Sequence, residues 1–283
     1  MNKIKEIFTT KKIVDFKFLN ILGLQAARYM IAKILYSSSK YFIKTDYIPE
    51  YKDKGLHLYK SFLENENFQN IKNEFDRIIE KENKARNTYL NEDELNVNNS
   101  SIDYLLFEFE DNEENKKNYP FLYTLYKSDK INKIFKAAER KKNVNIFMRL
   151  ERVITKDDKM NDANAKWHVD NYHDTHKAWL YLTDVKKENG PFNYLSGSAK
   201  FNFKRLYWEY INSVKSLINK SYVPFSLEKN SNSFKLDKLE MECNKNDFLV
   251  ANTHGYHKRG YAQINQIRDA VSFFTRENPY KFF

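Results

Sequence analysis

The chain reads as an α+β fold, with helices first and antiparallel strands later that close into a central barrel. Three observations predict this. Up to about residue 140 the apolar side chains recur at helical spacing, whereas from Asn143 onward they fall into short alternating runs. That order favours segregated layers over the strict strand–helix alternation of a doubly wound sheet. No Gly/Ser/Pro linker and no internal repeat divides the chain, and 283 residues suit one large barrel core.

The elements follow in order. Residues 14–41 read as a helix in which Phe18, Ile21, Leu22, Ala26, Met30, Ile34 and Leu35 recur on one side, interrupted by Arg28 and Lys33. This stripe is expected to pack on the main domain or between subunits. The basic flank of Lys11, Lys12, Lys17 and Lys40 keeps a peripheral membrane contact through residues 14–41 open. No run of 18 apolar residues exists, so no transmembrane span is expected. Gly55 to Lys60 reads as a strand, and Asn65 to Glu82 as a helix with Phe68, Ile71, Phe75, Ile78 and Ile79 on its apolar face. Residues 81–100 are polar and read as a surface excursion or lid, and Phe121 to Ala138 as a further helix. In Asn143 to Ile154, Val144, Ile146, Met148 and Leu150 share one side of a strand. Strands are also expected at Ala178–Thr183, Phe234–Glu242, Asp247–Ala251 and Asp269–Arg276, with a helix at Phe203–Asn219 interrupting them.

Apolar content of 41% and charged content of 30% describe a globular protein. The single cysteine, Cys243, excludes an intramolecular disulfide, and no secretory leader is visible, so a reducing, cytoplasmic setting is expected. The formal charge is +10, and residues 1–60 alone hold 12 Lys/Arg against 5 Asp/Glu. This excess can serve solubility in a Lys- and Asn-rich chain, or attract an anionic surface or an acidic substrate. Nucleic acid is not favoured as a partner: no recognition motif is present, and the aromatics fall at core-like strand periods.

The motif that carries chemistry is His168-Val169-Asp170, followed 87 residues after the Asp by His257. On an extended segment positions i and i+2 project to the same side, so His168 and Asp170 can reach one metal together. Two imidazoles and a carboxylate hold ferrous iron on one face and leave the other face open. Asp247 to Val250 reads as the strand delivering the distal histidine. His254 competes with His257 for that place, and His257 is favoured because it sets Arg268 eleven residues downstream. A zinc site from His168, His173 and His176 fits neither a helical nor a finger spacing. His57 reads as an ordinary packing or surface histidine. Arg268 offers a fixed guanidinium to clamp a carboxylate, for which Arg259 is less suited.

The segment from about Asn145 to Thr275 resembles the phytanoyl-CoA dioxygenase family of iron/2-oxoglutarate oxygenases. Trp167 to Asp170 is similar to the family's ligand strand. Ala178 to Asp184 with Glu188-Asn189-Gly190-Pro191 resembles the next strand and its turn. Ser196 to Lys200 resembles a signature loop in which Ala199 replaces the usual His. Asp247 through His257, then Arg268 to Ser272, resemble the distal-ligand and co-substrate strands. Gly55 to Leu63 resembles the family's opening strand, and the first 50 residues lie outside the likeness.

The resemblance implies a double-stranded β-helix (a jelly-roll, cupin-like barrel) flanked by N-terminal helices. Residues 1–50 would be a basic amphipathic arm, and residues 51–283 the oxygenase domain. It also implies Fe(II), 2-oxoglutarate and O2, with His168, Asp170 and His257 as metal ligands. Arg268 would bind the far carboxylate of 2-oxoglutarate, with Ser272 assisting and Trp179 lining the pocket. The implied reaction hydroxylates an unactivated C–H bond of a small-molecule metabolite and releases succinate and CO2. Asp170 favours this over halogenation, because related halogenases place a small residue there. A lipid-linked or saccharide precursor at a membrane surface, and a catalytically silent binding barrel, are the alternatives.

Overall fold

In a computed structural model, the structure describes residues 16–39, 49–89, 102–156, 163–219 and 236–275, with isolated positions at 7, 278 and 280. Its helices are α1 (Lys17–Ile21), α2 (Leu24–Ser39), α3 (Pro49–Lys54), α4 (Asn65–Tyr89), α5 (Glu113–Asn118), α6 (Pro120–Tyr126), α7 (Asp129–Glu139) and α8 (Phe203–Asn219). Its strands are β1 (Leu56–Tyr59), β2 (Ile102–Phe109), β3 (Ile146–Thr155), β4 (His176–Tyr181), β5 (Phe192–Leu195), β6 (Lys238–Met241), β7 (Phe248–Asn252), β8 (His257–Arg259) and β9 (Ile267–Thr275).

The strands form two antiparallel sheets, ordered β1-β7-β4-β9-β3-β2 and β6-β5-β8. After β3 the chain passes to the smaller sheet at His168, which bridges His257, and returns in β4. It then crosses over and back through β5, β6, β7, β8 and β9. This alternation between facing sheets is the double-stranded β-helix that the motifs implied.

Period-two alternation divides each strand of the larger sheet. Met148 and Leu150 of β3, Ala178 and Leu180 of β4, Phe248 and Val250 of β7, and Val271 and Phe273 of β9 face outward. They pack under the apolar faces of α4, α6 and α7, where Phe75, Ile79, Leu122 and Phe135 are buried. The opposite faces look into the barrel. Leu249, Ala251, Tyr181 and Ala270 meet Phe192 and Tyr194 of the smaller sheet and fill one end.

Several sequence expectations are corrected. Gly23 (φ 95°) ends α1 before α2 begins, so residues 16–39 are two helices rather than one. The helix expected at 121–138 is likewise two, because the Ser128 hydroxyl accepts from the Ile131 amide and caps α7. Residues 81–89 continue α4, and the remainder of the expected 81–100 excursion lies outside the described residues. Strand β2, with no counterpart in the sequence reading, pairs along the whole of β3.

The largest correction concerns the orientation of α1 and α2. The recurring apolar positions Phe18, Ile21, Leu22, Met30 and Ile34 are exposed, whereas Asn20, Gln25, Arg28 and Lys33 are buried. The surface beneath is polar, so the helix meets it with charges. Gln25 donates to Glu209 at 3.0 Å, Arg28 lies over the Tyr172 ring at 4.2 Å, and Lys33 bonds both oxygens of Asp174 at 2.8 and 2.9 Å.

Candidate active site

The backbone brings the two histidines together. His168 N–H donates to the His257 carbonyl at 2.9 Å, and His257 N–H donates back at 3.0 Å. The pair is directly opposed across an antiparallel contact, the geometry that sets side chains of facing strands side by side. Their rings lie 4.3 Å apart between centroids. Asp170 N–H donates to the Thr253 carbonyl at 3.0 Å, which fixes the third residue against the same loop.

The donor atoms of His168, Asp170 and His257 all lie within 4.8 Å of one another, and they form the cluster of metal-ligating type found among the described residues. Asp170 Oδ1 is 3.9 Å from His168 Nε2 and 3.6 Å from His257 Nε2. Bonds of about 2.1 Å to one ion at right angles put neighbouring donors about 3 Å apart. The two carboxylate–imidazole separations are within an ångström of that spacing.

Each ring is oriented by the main chain. His168 Nδ1 lies 2.7 Å from the Lys166 carbonyl and His257 Nδ1 lies 2.9 Å from the Gly255 carbonyl. A carbonyl only accepts, so Nδ1 carries the proton and the neutral ring keeps its lone pair on Nε2, toward the cluster. Burial, with His257 alongside, pushes the His168 pKa down to about 4, so the ring is neutral and ligand-competent at neutral pH. Burial pushes the Asp170 carboxyl up, but Lys177 and His257 outweigh it and hold it well below the usual carboxylate range. The donor set therefore fits a divalent cation of the ferrous kind: two imidazoles with Nε2 turned to the cluster and one ionised carboxylate.

The cluster opens onto a cavity of about 360 Å³ between the sheets, within the range of small-molecule clefts. All six residues singled out from sequence line it: His168, Asp170, His257, Trp179, Arg268 and Ser272. Arg268 donates to the Gly190 carbonyl at 2.6 Å, and the Trp179 ring packs on Phe192 at 5.1 Å. Ser272 donates to Glu151 Oε1 at 2.6 Å.

The sequence reading missed Lys177, Glu151, Arg149 and Tyr104, which share the lining with Arg259, weighed there as the less suited clamp. Lys177 Nζ stands 2.9 Å from Asp170 Oδ2, and Arg259 donates to the Tyr104 hydroxyl. The available signal was strand parity: Lys177 and Trp179 on β4, like Arg149 and Glu151 on β3, sit at i and i+2 on the inward face.

The competing histidines lie elsewhere. His254 is buried behind the loop, its Nδ1 3.0 Å from the Asn171 carbonyl and its ring stacked on Tyr29. His173 Nδ1 faces the Asp174 carbonyl at 3.0 Å, and His176 Nδ1 pairs with the buried Glu139 at 3.0 Å. His57 packs edge-on against Tyr59.

The sequence model for phytanoyl-CoA dioxygenase (PhyH) matches residues 51–229, more than half of the chain. The chain belongs to the phytanoyl-CoA dioxygenase family. It is thus an enzyme of the iron- and 2-oxoglutarate-dependent class, with Fe(II), 2-oxoglutarate and O2 as its cofactors. The match includes His168 and Asp170 and stops short of His257 and Arg268, which the fold brings to them.

Among solved structures, AviO1 from Streptomyces viridochromogenes Tue57 is 13% identical, with 81% of this chain and 92% of that chain covered and a TM-score of 0.49. HygX from Streptomyces hygroscopicus, with nickel and 2-oxoglutarate bound, is 14% identical over 80% and 83% of the two chains, at a TM-score of 0.48. The carbocyclase SnoK of nogalamycin biosynthesis is 13% identical over 82% and 83%, at 0.49. No curated protein matches the chain.

Proposed function

We propose that this enzyme hydroxylates an unactivated C–H bond of a small, anionic metabolite. In this reading His168, Asp170 and His257 hold the iron, and Arg268 binds the far carboxylate of 2-oxoglutarate. When bound, ferrous iron with 2-oxoglutarate and O2 supplies the oxidising power, coupling release of succinate and CO2 to insertion of one oxygen atom. The observation that carries the reading is the convergence of three ligand atoms within 4.8 Å on a cavity that Arg268 also lines.

The remaining residues position and exclude. The Lys166 and Gly255 carbonyls hold the two imidazoles in one tautomer. Lys177 draws Asp170 Oδ2 to itself at 2.9 Å and leaves Oδ1 toward the histidines. Trp179 and Phe192 wall the cavity with aromatic surface and keep water from that side. Ser272 can serve the co-substrate carboxylate by turning its hydroxyl away from Glu151. Arg149, Lys177, Lys258, Arg259 and Arg268 face only Glu151 and Asp170 as carboxylates in the lining, which suits an anionic substrate beside an anionic co-substrate.

The test is incubation of iron-loaded protein with labelled 2-oxoglutarate, O2 and metabolite pools. Succinate formation together with a product heavier by one oxygen atom is the expected result. No iron-dependent succinate would leave a binding barrel. Succinate with a product of unchanged mass, or one lighter by two hydrogens, would replace hydroxylation by epimerisation or ring closure. A lipid-linked or saccharide precursor is the second reading, favoured by the exposed apolar face of α1 and α2.

A further inference from the structure

The first two helices are built inside out. On α1 and α2 the polar side chains point into the body, where Lys33 meets Asp174 and Gln25 meets Glu209. Tyr29 and Ala32 are buried among them, but the large aliphatic side chains and Phe18 point away: Phe18 is 71% exposed, Leu22 67% and Ile34 56%, with Met30 beside them. Helix α8 lies alongside, held by Tyr210 donating to the Ile21 carbonyl at 3.1 Å. Its own buried face carries Arg205, Trp208 and Glu209, and Phe203 (78% exposed) and Tyr207 (67%) stand on its outer face. Large apolar groups exposed on the outer faces of three helices in mutual contact mark an interaction surface rather than singly scattered exposure.

Charge selects the occupant. The three helices contain one acidic residue, Glu209, and it is buried against Arg205. Their exposed charges are Lys17, Lys204 and Lys215. The sequence flanking these helices is basic as well: residues 1–16 and 40–48 contain six Lys/Arg against three Asp/Glu. A second copy docked on the same face would set lysines against lysines. An anionic bilayer offers acyl chains to the aromatic and aliphatic groups and phosphates to the rim, the arrangement of interfacial helices.

We infer that α1, α2 and α8 form a membrane-docking face that seats the enzyme on anionic lipid. This stands apart from the iron chemistry and is tested without it. Full-length protein is sedimented with vesicles of phosphatidylcholine alone, and with vesicles containing about 30% phosphatidylglycerol, at low and high salt. Binding to the anionic vesicles that weakens as salt rises is expected. Leu22→Asp combined with Ile34→Asp, both at exposed positions, should bind at least about tenfold more weakly with an unchanged melting temperature. Phe203→Asp, on a different helix, should give a loss of the same kind. Lys17→Gln and Lys204→Gln should each cost about fivefold.

Absence of wild-type binding to anionic vesicles, or equal binding to the neutral ones, overturns the inference. So does undiminished binding by the aspartate variants. A dimer in solution that Ile34→Asp dissociates would assign the face to a second copy instead.

Discussion

Lys33→Met is the sharpest probe of how α2 joins the body of the enzyme. In the native protein Lys33 Nζ bonds Asp174 at 2.8 and 2.9 Å with both side chains buried, and Asn252 adds one bond to the same carboxylate at 2.6 Å. Removing the ammonium leaves a buried carboxylate with one neutral donor. Breaking a buried pair from one side costs about 3–5 kcal/mol. At about 2–3 °C per kcal/mol for a chain of this size, the melting temperature should fall by about 6–15 °C. The double variant Lys33→Met/Asp174→Asn buries no lone charge and should recover about half of the loss.

The pH dependence gives a second reading of the same assay. In the native protein burial pushes the Asp174 carboxyl up, but Lys33 and its other partners outweigh this and hold it far below the usual range. That depressed pKa contributes stability above the unfolded-state value near 4, which is lost as pH falls. In the variant only burial remains strong, so the folded-state pKa rises above the unfolded one. Folding then takes up a proton, and stability increases as pH falls from 7 toward 5. Thermal melts followed by circular dichroism across that range decide the matter. A loss under about 1 kcal/mol, or a variant whose stability relative to the wild type does not rise between pH 7 and 5, would refute the reasoning.

Further expectations concern the site. His168→Ala and Asp170→Ala should each abolish iron-dependent turnover of 2-oxoglutarate and weaken Fe(II) or Co(II) binding at least about 100-fold, measured by titration, with the melt little changed; full turnover in either would remove that residue from the metal site. Arg268→Ala should raise the half-saturating 2-oxoglutarate concentration about 10–100-fold through lost charge-assisted bonds, and an unchanged dependence would move the clamp to Arg259 or Lys177. Gly255→Ala places a methyl 2.0 Å from the Tyr194 hydroxyl and 2.5 Å from its ring, where the buried tyrosine is held by the Asn252 carbonyl. Because the Gly255 carbonyl orients His257, the variant should lose about 2 kcal/mol of stability and bind metal more weakly; native-like melting and metal affinity would show that the loop relaxes freely.

Elements whose periodicity stays clean are legible in the amino-acid sequence. The faces of α4 and β3 follow residue by residue from their 3.6- and two-residue periods, and Phe75, Ile79, Met148 and Leu150 are buried as those periods require. Strand β2 escapes such a reading because its Leu105-Leu106-Phe107 run breaks the alternation, although Leu105 is buried and Leu106 exposed in the folded sheet. The division at Gly23 and the cap at Ser128 are single-residue events that a helical period averages over. Lys177 and Glu151 escape because a charged residue on a strand reads as solvent-facing until the other wall of the barrel is known.

By itself, the order of the amino acids determined the groups on offer to the candidate site: an imidazole and a carboxylate two positions apart, a distal imidazole, and a guanidinium beyond it are covalent facts of the chain. Only the tertiary structure decided which distal histidine meets the pair, since His254 and His257 differ by three positions and one reciprocal backbone hydrogen-bond pair selects the second. It also decided which way α2 faces. An amphipathic pattern states that two sides of a helix differ, and the charge of Asp174 and Glu209 beneath it sets which side is buried.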